Sequence, residues 1–91
     1  MTVGSVAVPE GTTQSIGAVP GGATIGVAPG SGGSMNVQYR ISPNGPLRQW
    51  APGSVTVDTD EATISPYLEM HFTATGADGF AEWNWADPTY P

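Results

Sequence analysis

The sequence predicts an all-β domain: an antiparallel β-sandwich or small Greek-key barrel of about seven or eight short strands, with a Gly/Pro-rich N-terminal part. Three observations predict it. The 91 residues include 13 Gly and 9 Pro, which disfavour helix interiors by ~1 and ~3 kcal/mol per residue. Turn-forming Pro and Gly recur about every ten residues, the rhythm of sandwich and barrel strands. Where apolar residues show a period, that period is two, the mark of a strand with one buried face.

Residues 1–33 contain a single ionisable side chain, Glu10. They read as a Gly/Ser/Thr-rich β arm or as the first strands of the domain. Three β-like stretches run from Val3 to Val8, Thr12 to Ala18 and Ala23 to Ala28. Each ends in a punctuator: Pro9-Glu10-Gly11, Pro20-Gly21-Gly22 and Pro29-Gly30-Ser31-Gly32-Gly33. Pro presets φ for a turn, and Gly accepts the positive φ that completes one.

Residues 34–86 read as the β core. From Ser34 to Ile41, Met35, Val37, Tyr39 and Ile41 share one face, and Asn36, Gln38 and Arg40 share the other. Ser42-Pro43-Asn44-Gly45-Pro46 is a turn, because Asn-Gly tolerates the left-handed conformations of hairpins. Leu47 to Trp50 is a short returning strand, broken by Ala51-Pro52-Gly53. Ser54 to Asp58 alternates again and predicts Val55 and Val57 inward; Thr59-Asp60-Glu61-Ala62 reads as an acidic connection. Between Tyr67 and Thr75, Leu68, Met70 and Phe72 alternate with Glu69, His71 and Thr73. After the turn Gly76-Ala77-Asp78-Gly79, the last strand sets Ala81, Trp83 and Trp85 against Phe80, Glu82 and Asn84. Residues 87–91 form a tail whose two prolines stop it extending a strand.

Charge narrows the function. Two basic and eight acidic residues give a net charge of −6. Such a surface repels phosphate backbones and anionic membranes, so neither nucleic acid nor membrane is an expected partner. No apolar run approaches the ~20 residues of a membrane span, and Met1-Thr2-Val3-Gly4-Ser5 lacks the basic and apolar blocks of a secretory signal. Without Cys there is no disulfide and no thiolate metal site. Large apolar side chains are few. Each stabilises by roughly 1.5–3 kcal/mol when buried, against ~1–2 kcal/mol per residue for ordering the backbone. The isolated monomer is therefore expected to be marginal and to gain stability from oligomerisation or docking.

Candidate chemistry is sparse. The sole histidine, His71, lies on a strand face with Glu69, the spacing of half an acid–base site. No nucleophile stands at a defined spacing from it and no Gly-x-Ser-x-Gly elbow exists, so His71 reads as a solvent-facing sheet residue and the chain as no enzyme. Asp58-x-Asp60-Glu61 lacks the Gly and late Glu of a calcium loop, and reads as a solvated acidic turn. Glu69 and Glu82 are expected offset or solvated, because facing like charges destabilise a sheet. Gly30-Ser31-Gly32-Gly33 lacks the Lys and helix of a phosphate loop and reads as a flexible link. No metal or cofactor is expected. The aromatics Trp50, Trp83, Trp85 and Tyr90 are core residues, interface anchors or sugar-stacking platforms. With Val3, Val6, Val8, Ile16 and Ile25 of the N-terminal stretch, they make up the candidate interface residues.

Three segments carry a resemblance: Tyr39-Arg40-Ile41-Ser42, Trp50-Ala51-Pro52-Gly53-Ser54-Val55-Thr56 and Met70-His71-Phe72-Thr73-Ala74-Thr75-Gly76. In this order, over roughly residues 35–76, the chain resembles small virion-associated β-proteins of tailed bacteriophages, of the capsid-decoration or head-fibre kind. The resemblance implies a non-enzymatic structural protein, with no catalytic residue to carry over. It would bind the major capsid protein or another virion protein as a homo-oligomer. It would be made in the host cytoplasm and sit on the outer surface of the virion, with the stretch from Val3 to Val27 making arm contacts. The alternative is a carbohydrate-binding or adhesin-like β-module on a tail or fibre. That reading needs Trp50 or Trp85 exposed in a flat row beside Gln49 and Asn84.

Overall fold

The computed structural model describes residues 1–19, 22–63 and 68–86. These residues form eight strands and no helix: β1 (Thr2–Val8), β2 (Thr13–Val19), β3 (Thr24–Ala28), β4 (Ser34–Arg40), β5 (Arg48–Gln49), β6 (Thr59–Ala62), β7 (Leu68–Thr75) and β8 (Gly79–Trp85). The strands make two four-stranded sheets, one ordered β1-β8-β3-β6 and the other β2-β7-β4-β5. Every ladder is antiparallel, and the sheets stack as a β-sandwich of 48 × 27 × 18 Å.

Period-two patterning sets the inner faces. Leu68, Met70, Phe72 and Ala74 of β7 and Met35 and Val37 of β4 are buried against Val8, Ile25, Val27 and Ala81 of the opposite sheet. Phe72 has the largest side chain among the fully buried residues. Residues 1–33 contribute to both layers: β1 and β3 flank β8, and β2 borders β7. Contacts of β1 with β2 and β7 stack those two edges at one margin of the sandwich. β5 and β6 lie at the other.

Four local expectations change. Ser54 to Asp58 forms no strand; a single bridge joins Met35 and Val55, with 2.9 Å hydrogen bonds in both directions. Val55 is buried, whereas Val57 is 69% exposed rather than inward, because the chain there is crossing to the other sheet. The acidic connection is strand β6, pairing Asp60 with Gly26 and Glu61 with Ile25. Its charges are tolerated because it is an edge strand with water on its open side. Ile41 lies past the end of β4 and is exposed. Lastly, Gly30 to Gly33 is a packed junction rather than a loose link. The Gly33 N–H donates to the Gly30 carbonyl at 2.9 Å. A methyl group on Gly30 would strike the Asp78 carbonyl oxygen, and one on Gly33 would lie 2.8 Å from Ala77 Cβ. Only residues without a Cβ let this turn seat against residues 77–78. The expected tail 87–91, with Tyr90, lies outside the described residues.

Candidate functional site

The sole histidine sits on the outer face of the β2-β7-β4-β5 sheet. Antiparallel register sets Arg40 of β4 opposite Glu69 of β7, and Ser15 of β2 and Gln38 of β4 on either side of His71. Three donors converge on one carboxylate oxygen. Arg40 Nε donates to Glu69 Oε2 at 2.6 Å, Arg40 Nη2 lies 2.5 Å from it, and His71 Nε2 lies 2.6 Å from it. An ionised carboxylate only accepts, so Nε2 carries the hydrogen. The His71 hydrogen bond, then that of Arg40, holds the Glu69 carboxyl below its ordinary range. Among the described residues no hydrogen bond joins Ser15 Oγ to the imidazole. The face is otherwise amide and hydroxyl: Gln49 Nε2 donates to Asn36 Oδ1 at 3.0 Å, and the Thr13 and Thr73 hydroxyls are 2.8 Å apart. Chemically, this arrangement is an ion-pair ladder that ties β4 to β7, not a nucleophile aimed at a cleft. Sequence spacing showed Glu69 beside His71. Arg40 and Ser15 join them only through strand register, which no local motif encodes.

On the opposite outer face, two adjoining hollows of about 250 Å³ each run over Gly26, between Asp60 and Glu82. Phe80 and Asp58 border one; Val3 and Asn84 border the other. Glu69 and Glu82 therefore lie on opposite faces of the sandwich, too far apart to act as a carboxylate pair. Among the described residues no three His, Cys, Asp or Glu side chains converge to hold a metal ion. A third hollow, of about 260 Å³, opens at the β5/β6 margin between Tyr39, Trp50, Glu61 and Leu68.

The two margins differ sharply. At one, β5 has two residues and β6 has four, among them Asp60 and Glu61. Short, charged edges resist pairing with other chains. At the other, β1 and β2 have seven residues each and no charge or Pro between them. β2 is irregular between Ile16 and Val19, a bulge that blunts an edge. β1 pairs with β8 at seven successive positions without a shift, and among the described residues no strand follows it on its other side.

The candidate interface residues fall into three groups. Val8, Ile25 and Trp50 are buried, so their side chains are committed to the chain's own core. Val6, Ile16, Trp83 and Trp85 are partly buried and pack against that core. Val3 alone among the described candidates is largely exposed, at 72%. The Trp83 indole lies over Gly4, where a Cβ would collide with the ring. No described helix is long and apolar enough to cross a membrane. Compared with known proteins, the chain matches no protein-family model, and no curated protein matches it at a significant level.

Proposed function

We propose that this chain is a non-enzymatic structural protein of a bacteriophage particle, a capsid decoration or cement protein that binds the major capsid protein on the outer surface of the virion. The observation that carries the reading is the β1 edge: long, regular, uncharged and, among the described residues, with no strand beyond it, on a molecule whose opposite margin is short and charged. A chain that protects one edge and leaves the other ready to pair suits a role as a part of something larger. The acidic surface, with two basic residues in all, suits the outside of a shell, away from packaged nucleic acid. The resemblance over residues 35–76 points the same way.

The alternative, a glycan-binding module, requires an exposed row of aromatic rings. Trp50 is buried, and Trp83 and Trp85 pack against the core, so the decoration reading is preferred. The test is co-sedimentation of the purified protein with empty shells assembled from the major capsid protein. Saturable binding at a fixed ratio to capsid subunits, together with a raised shell melting temperature, is expected. Shells that pellet without the protein would overturn the reading.

A further inference from the structure

We infer that the β1 edge takes a second copy of this chain, antiparallel about a twofold axis at Ser5, fusing two sheets into one of eight strands. The inference rests on the assembly role proposed above and names the partner at that edge. The resulting order would be β6-β3-β8-β1 continued by β1-β8-β3-β6 of the second copy.

Self-complementarity selects this occupant. Residues Val3, Ser5 and Ala7 point outward and are exposed, whereas Gly4, Val6 and Val8 face the core side. An axis at Ser5 sets Val3 opposite Ala7 of the second copy, Gly4 opposite its Val6, and Ser5 opposite its Ser5. Outward residues thus meet outward residues. Within the chain, Ala7 is already registered with Phe80, which is 40% exposed. Pairing therefore builds one apolar row, Val3–Ala7–Phe80, across the new seam, and symmetry builds it twice. Cross-strand apolar neighbours of this kind stabilise a sheet. Val3 and Phe80, both exposed in the single chain, would each gain apolar company.

Charge permits the contact. No residue of β1 is charged. The nearest acid is Glu82, registered with Ser5, so the two Glu82 side chains would be three strand spacings apart, roughly 14 Å. That exceeds the ~8 Å screening length at physiological salt. Two copies of charge −6 repel at long range, so the dimer should tighten as salt is added.

Sedimentation equilibrium of the full chain tests this. A species of twice the 9.3 kDa chain mass, favoured by salt, is expected. Val3→Lys with Ala7→Lys places like charges face to face twice across the seam and should weaken the dimer at least ~tenfold. Val3→Lys with Ala7→Glu makes those facing pairs attractive and should restore it. Circular dichroism checks that each variant folds. Independently, Ser5→Cys introduces a lone thiol into a chain with no Cys. Facing Cα atoms on paired strands are ~4.5–5.5 Å apart, within disulfide range. Mild oxidation should crosslink Ser5→Cys and leave Val57→Cys, an exposed control, uncrosslinked. A wild-type monomer across salt, a double-Lys dimer as tight as wild type, or equal crosslinking of the two thiols would overturn the inference. A wild-type monomer that still coats shells sinks the dimer alone; a dimer that ignores shells sinks only the capsid role.

Discussion

Replacing Phe72 with Ala tests the energetic centre of the sandwich. Phe72 is fully buried in β7, registered between Gln14 of β2 and Val37 of β4. Truncating such a ring costs about 3–5 kcal/mol, combining lost transfer energy with the cavity left behind. At ~0.05–0.15 kcal/mol per residue, a domain of this length holds roughly 5–14 kcal/mol in total. The substitution therefore removes at least about a fifth of the stability, and most of it toward the lower bound. The assay is urea unfolding followed by tryptophan fluorescence, which the buried Trp50 should report. With a slope near ~1.5 kcal/mol per molar, the midpoint should fall by roughly 2–3 M. Phe72→Leu, which preserves most of the volume, should cost less than ~1.5 kcal/mol. Equal and small losses from both variants would refute the picture of a thin core centred on this ring.

Other predictions follow from particular contacts. Glu69 is held below the ordinary carboxylate range, so the stability it contributes is present above that range and lost as pH falls through its folded pKa. Glu69→Gln should flatten the acid side of the stability–pH profile below about pH 4.5, and a superimposable profile would contradict the ladder. Val57→Asp should change the urea midpoint by less than the equivalent of ~0.5 kcal/mol, whereas Val55→Asp, at a buried position, should cost more than ~2 kcal/mol; equal effects would place both valines wrongly. Gly30→Ala forces a methyl group onto the Asp78 carbonyl and should cost about 1–3 kcal/mol in thermal or urea melts, a loss that a flexible link would not show.

Alternation made the central strands legible. Met35/Val37 and Leu68/Met70/Phe72 each display one apolar face, and a single-residue slip would expose all of them. The pattern fails where an edge replaces a face. The Thr59–Ala62 strand reads as a connection because its sides are wet, and its acidic composition is an edge property rather than a turn property. Val57 fits the alternation but occupies a crossing segment, a difference set by the path between sheets. Glu69 with His71 was visible because both lie on one strand. Arg40, 29 residues away, joins them through pairing alone. The β1 edge was half legible: its neutrality is plain in the sequence, but that it lies outermost depends on β8 filling its one inner side.

The position of β8 has a kinetic consequence. It lies between β1 and β3, yet it is the last of the eight strands to be synthesised. Among the described strands β1 pairs with β8 alone, so its ladder cannot close until β8 is made, whereas β3 can first pair with β6. Sheet closure joins residues separated by most of the chain, and such loop closure slows folding. Until β8 is available the nascent β1 stretch therefore remains without its mate, and a concentrated population of growing chains is most vulnerable to off-pathway association in that interval.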